Sequence, residues 1–146
     1  MGFLQVNIPL KKHHDVMKKY WDQLWANYTD EYAEVFIQCW NTETKQMEAL
    51  LPIAEKVRKE GLVHYFRIAL NEKNRTYLQQ DSFDHKQLKW FMIRFIRADG
   101  TEGIEVRDYG VETTINQIST EQAEKLLQLF SKDNIEAKFT KDEDDK

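Results

Sequence analysis

Few of the residue types able to do chemistry stand at a working spacing in this chain. His13 and His14 are adjacent and Asp15 follows them. Neighbouring side chains on a helix point in different directions, whereas a chelating pair needs i, i+4 spacing on one face. His64 and His85 lie far away in the chain, so no metal site is expected. Cys39 is the only cysteine. To act as a nucleophile with His64 as its base, it would need a helix N-terminus or a glycine elbow to lower its pKa, and neither presents it. On an apolar stripe a free cysteine is expected to be a small buried hydrophobe. The acids Asp81, Asp84, Asp99, Glu102, Glu105 and Asp108 gather around the stretch 88–109. None lies in an apolar run that would raise its pKa to that of a working general acid. Asp99-Gly100-Thr101-Glu102-Gly103 lacks the alternating oxygen ligands of a calcium loop. Its glycines are too closely spaced, and precede a strand, so they form no phosphate cradle. No cofactor is expected.

Binding chemistry is better represented. Lys89, Arg94 and Arg97 interleave with Trp90, Phe91 and Phe95 across 88–97. That mixture would suit RNA or single-stranded DNA, whose bases stack on aromatic rings. Alternation, however, puts Phe91, Ile93 and Phe95 on one face and Trp90, Met92 and Ile96 with Arg94 on the other. Both faces are largely apolar, so a central strand buried on both sides is the expected outcome, and a nucleic-acid partner is disfavoured. Glu105, Arg107 and Tyr109 alternate on the outward face of the next strand. Arg and Tyr are frequent anchors of protein interfaces, which makes these three the expected contact residues.

The elements that must position these groups follow from periodicity. Leu88 to Tyr109 is a β-hairpin, with its reversal at Asp99, Gly100 and Gly103. Phe3 to Ile8 alternates and stops at Pro9, which predicts a short first strand. A helix is predicted from about Asp15 to Thr29, with Met17, Trp21, Leu24 and Tyr28 on one face. Tyr32, Val35, Phe36, Cys39 and Trp40 also fit the helical period better than the strand period. Met47, Leu50, Leu51, Ala54 and Val57 predict a third helix, kinked at Pro52 and stopped at Gly61 after Lys56, Arg58 and Lys59. From Leu62 to Leu70 the period changes to two. Asn71 to Asn74 reads as a polar turn, Arg75 to Gln80 as a short strand, and Val111 to Ile118 as a further strand. Ser119 and Gln122 form a capping box for an amphipathic helix carrying Ala123, Leu126, Leu127 and Phe130. Ile135, Ala137 and Phe139 alternate as a final short strand. The expected fold is α+β: an N-terminal strand, two or three helices, an antiparallel β-meander of four or five strands and a C-terminal amphipathic helix.

Composition bounds the rest. The 146 residues suit one domain, expected over 1–140, with 141–146 as an acidic mobile tail. Apolar residues at 41% and aromatics at 12% are enough for a packed core without staples. The formal charge of −4 gives an average field that does not attract phosphate backbones. No run is long and apolar enough for a membrane span, Met1 to Leu10 makes a poor signal peptide, and Val6 stands where a myristoylation signal needs Ser or Thr. A single thiol fits a reducing compartment, so a soluble cytoplasmic protein is expected. The leading expectation is a non-catalytic protein-interaction module, such as an inhibitor, immunity-type protein or adaptor. The alternative is a small-ligand binder or enzyme with a pocket between the helices and the meander, into which His64 with Tyr65 or Arg67 would point. RNA or single-stranded DNA binding through 88–97 ranks third.

Overall fold

The computed structural model describes residues 1–84 and 87–142, and for residues 10–15 the backbone alone. The elements follow as β1 (Gly2–Asn7), α1 (Leu10–Asn27), β2 (Tyr32–Trp40), α2 (Thr44–Leu50), β3 (Lys56–Glu60), β4 (Val63–Ala69), α3 (Glu72–Gln80), β5 (Phe83–Asp84), β6 (Gln87–Leu88), β7 (Met92–Arg97), β8 (Glu102–Arg107), a 3-10 turn (Asp108–Gly110), β9 (Glu112–Ile118), α4 (Thr120–Lys132) and β10 (Glu136–Lys141). Among the described residues the fold is α+β, with four helices and an eight-stranded antiparallel sheet in the order β10-β1-β9-β8-β7-β2-β4-β3. The hairpin β7–β8 lies in the middle of it, and β5 and β6 form a small separate ladder.

All four helices bury side chains in one core, against one face of the sheet. Trp21 and Trp25 of α1, Leu50 of α2, Leu78 of α3 and Phe130 of α4 meet Val35, Ile37, Phe66, Ile93 and Phe95 of the strands there. The rings interlock, Trp25 edge to face with Phe95 at 5.2 Å and Tyr20 tilted against Phe130 at 4.8 Å. Buried indole N–H groups need acceptors. Trp21 donates to the Leu78 carbonyl at 3.0 Å and Trp90 to the Ser82 hydroxyl at 2.9 Å. The α4 capping box forms as the sequence predicts, with Gln122 N–H donating to Ser119 Oγ at 3.1 Å.

Four segments depart from expectation. Residues 32–40 are the strand β2, paired with β4 on one side and β7 on the other. A short apolar run fits both periods, and here the ladders on both sides decide for the strand. The helix expected across 47–57 ends before Pro52, which has no N–H to continue it, and Lys56–Glu60 becomes the edge strand β3. Arg75–Gln80 is helical, because Asn71 caps α3 by accepting from the Asn74 N–H at 2.8 Å. Helix α1 begins at Leu10, directly after Pro9, rather than near Asp15. The helices are therefore interspersed among the strands, and the meander is wider than four or five strands.

Gly103 is required by a close approach. A Cβ there would fall within 2.5 Å of Tyr32 Cζ, since the phenol lies against the backbone where the β7–β8 register shifts. Helix-side packing buries one face of β7 fully, and the other only at Ile96, by the register shift. Ile93 and Phe95 are fully buried and Phe91 half-buried, while Met92 and Arg94 are only partly covered. Trp90 is fully buried but precedes the strand.

Candidate functional site

Successive side chains of a strand point to opposite faces, so the register identifies every residue on the face that carries no helix. Two rows cross the whole sheet there. The first runs Lys56, Arg67, Phe36, Arg94, Glu105, Thr114, Gln5, Lys138, one residue from each strand in sheet order. The second runs Arg58, Tyr65, Gln38, Met92, Arg107, Glu112, Asn7, Glu136. None of these residues is buried.

The two halves of this face differ. On the β3–β4–β2–β7 half, Phe36, Lys56, Arg58, Tyr65, Arg67 and Arg94 line a groove of about 320 Å³. Four cations and two aromatic rings line it, and no acid. The Arg94 guanidinium lies 5.8 Å from the Phe36 ring centroid, and that of Arg58 lies 5.6 Å from Tyr65. Such contacts hold a planar cation over a ring while leaving its N–H groups available. Arg67 donates to Glu34 and Arg58 to Glu60 at 3.0 Å, so both are partly neutralised. Lys56 and Arg94 make no ion pair with a described residue. On the β8–β9–β1–β10 half, Arg107 pairs with Glu112 at 3.0 Å and with Glu105 at 3.6 Å. Polar and charged groups of both signs alternate there.

Of the three expected contact residues, the structure brings Glu105 and Arg107 together on this face. Tyr109 lies beyond the end of β8, in a turn where Asp108, Tyr109 and Gly110 have φ of 51°, 57° and 97°. Three left-handed residues in succession break the alternation that placed it beside Arg107. Its hydroxyl donates to Glu43 at 3.0 Å, and its ring packs edge-on against Phe91 at 5.5 Å. Burial, reinforced by Glu43, pushes this phenol up to about 12.

The catalytic candidates are placed as follows. Cys39 and His64 are opposite each other in the β2–β4 ladder. Cys39 is fully buried, and burial, with Glu43 nearby, pushes its thiol up to about 12, which holds it protonated. His64 Nδ1 lies 2.7 Å from the Asn41 side-chain oxygen. His64 is on the opposite face from Tyr65 and Arg67, so these residues do not converge. The space between helices and sheet is filled by the indoles, phenyl rings and aliphatic side chains of the core. Glu102 is half-covered at the register shift; burial, then Glu105, raises its pKa, with Arg94 opposing. Asp99 is a turn residue, accepting from the Thr101 N–H at 2.9 Å, and its carboxyl is held below the usual range mainly by the Thr101 hydroxyl. Among the described residues no three His, Cys, Asp or Glu side chains are placed to hold a metal ion, and no helix is long and apolar enough to cross a membrane. The side chains of His13 and His14, the residue His85 and the tail 143–146 lie outside what the structure describes.

Sequence reasoning missed Phe36, Tyr65, Lys56 and Arg58 as a group. The helical period places Phe36 on a core stripe, and Lys56 and Arg58 in the last turn of a helix. Only the alternation of Val63 to Ala69, which separates Tyr65 and Arg67 from Phe66 and Ile68, signalled this face. Comparison with protein-family models, with curated proteins and with solved structures finds no match.

Proposed function

We propose that this chain is a non-catalytic protein-interaction module, an inhibitor, immunity-type protein or adaptor, which binds through the helix-free face of its sheet. The observation that carries the reading is the groove in which Phe36 and Tyr65 lie among Lys56, Arg58, Arg67 and Arg94. Aromatic and Arg side chains on a rigid scaffold combine large contact area with directed polar groups, the composition that dominates interface hot spots. Glu105 and Arg107 form the rim of this contact, and Tyr109 belongs to the scaffold behind it. The module works without a cofactor, in the cytoplasm, where its single buried thiol needs no partner.

A protein suits this face better than a nucleic acid. A phosphate backbone favours a continuous basic track. Here Glu34 and Glu60 neutralise two of the four cations, and the first row continues into Glu105, Thr114 and Gln5. A residue-specific test places a photo-crosslinking amino acid at position 36, and separately at position 125 on the exposed side of α4, in the native host. The expected result is a protease-sensitive adduct from position 36 alone, lost when Arg94→Glu is added. No adduct at position 36, a nuclease-sensitive one, or turnover of a small molecule by the purified protein would overturn the reading.

A further inference from the structure

The sheet ends at β3, and this edge has features that the groove alone does not explain. All five residues of β3 are exposed, and its outer side carries no neighbouring strand among the described residues. An edge strand presents a row of unpaired N–H and C=O groups, and folded proteins guard such edges with charge. Lys56, Arg58 and Lys59 meet that description. The exposed apolar residues do not. Apart from Met1, the large exposed hydrophobic residues of the described chain are Leu51, Val57 and Leu62, at 55%, 40% and 74%. Val57 is in β3, Leu62 lies in the turn to β4 and Leu51 just after α2. An edge guarded only against pairing gains nothing from an exposed Val57 within the strand and an exposed Leu62 in the turn that follows it.

Resting on the proposal that this protein binds another protein, we infer that β3 accepts an extended acidic segment of the partner as a ninth strand. Strand addition takes its affinity from main-chain hydrogen bonds and its specificity from alternate side chains. The register specifies those side chains. Lys56 and Arg58 point to the helix-free face, opposite Arg67 and Tyr65. The groove cations Arg67 and Arg94 lie in the same row as Lys56. Incoming side chains on that face therefore meet Lys56, which makes no ion pair with a described residue, and Arg58, which is shared with Glu60, with Arg67 one strand further in, and Asp or Glu is favoured opposite Lys56. Val57 and Lys59 point the other way, so incoming side chains on that face meet an apolar group flanked by a cation. The matching segment alternates acidic and apolar residues.

The test measures fluorescence anisotropy with a labelled short peptide alternating Glu and Val, against the full chain. Comparison probes are the same peptide N-methylated on alternate backbone nitrogens, a peptide alternating Lys and Val, and an oligothymidylate. The expected result is saturable binding of the Glu-Val peptide, with no binding of the Lys-Val peptide. Backbone N-methylation should weaken it at least about tenfold, because it removes strand pairing without changing charge. Lys56→Glu with Arg58→Glu should do the same in a protein whose circular dichroism is unchanged. Equal binding of the N-methylated peptide would overturn strand addition while leaving the groove as a side-chain contact. Absence of peptide binding alongside a position-36 protein adduct would likewise overturn strand addition and leave the face intact. Oligothymidylate binding lost in Arg94→Glu, with no peptide binding, would overturn both readings.

Discussion

Gly103→Ala tests the packing that sets the register between the central strands. The added methyl would fall within 2.5 Å of the Tyr32 ring at Cζ, far inside van der Waals contact. The ring has nowhere to retreat: Tyr32 is 3% exposed, packs edge-on against Phe95 at 5.7 Å and lies under the Arg97 guanidinium at 5.1 Å. Moving the backbone instead would disturb the β7–β8 ladder beside its register shift. Overpacking a closed site costs about 1–3 kcal/mol, and a clash with both partners fixed belongs in the upper part of that range. We therefore expect a loss of roughly 2–3 kcal/mol, which for a domain of this size lowers Tm by about 5–10 °C. Urea denaturation supplies the assay, with a double-mutant cycle to assign the cause. Tyr32→Leu removes the outer ring atoms, so adding Gly103→Ala to it should cost less than about 0.5 kcal/mol further. An unchanged denaturation midpoint in Gly103→Ala, or the same cost in both backgrounds, would refute the steric argument.

Phe95→Ala should destabilise by roughly 3–5 kcal/mol, since this fully buried ring packs against both Trp25 and Tyr32; an unshifted urea midpoint would show that the ring is not in the core. Cys39 should react with a thiol reagent far more slowly in the native protein than in urea, as its buried thiol is pushed up to about 12; equal rates would place it at the surface. Glu102→Gln should raise Tm near neutral pH and leave it unchanged at about pH 3. A carboxyl whose folded pKa is raised, mainly by burial and then by Glu105, loses stability as pH climbs from its ordinary value of 4.5 through the raised one. A Tm gain of equal size at both pH values would show that charge is not the cause.

Much of the fold was legible because local signals agreed with tertiary ones. The Asp99-Gly100 reversal, the Ser119–Gln122 box and the alternation of Phe3 to Ile8 each needed only a few neighbouring residues. Residues 32–40 show where this stops. Val35, Ile37 and Cys39 on one face, with Phe36 and Trp40 beside Glu34 and Gln38, looked like a poor strand because aromatics seemed misplaced among polar neighbours. That pattern is what an amphipathic strand with an aromatic solvent face looks like, and β4 and β7 settle it. The same error hid the groove, whose six residues come from four strands and acquire their relation only through pairing. That Glu105 and Arg107 share a face was legible because both lie within one strand. Tyr109 was misplaced because nothing in Arg107-Asp108-Tyr109 announces two left-handed non-glycine residues.

The position of β1 has a consequence for how the chain reaches this structure. Among the described strands, the first in the chain is flanked by the last two, β9 and β10. A chain emerging N-terminus first therefore displays Leu4, Val6 and Ile8 long before either ladder partner exists. The segment from β2 to β8 can assemble from nearer neighbours in the chain, whereas seating β1 closes the longest loop in the sheet and carries the largest entropic cost. Until that closure, β9 lacks its outer partner and β10 has no ladder to join. Completion of the sheet thus waits for β9 and β10, and the emerging chain passes through a stage in which the apolar strand β1 is open to other chains or to a chaperone.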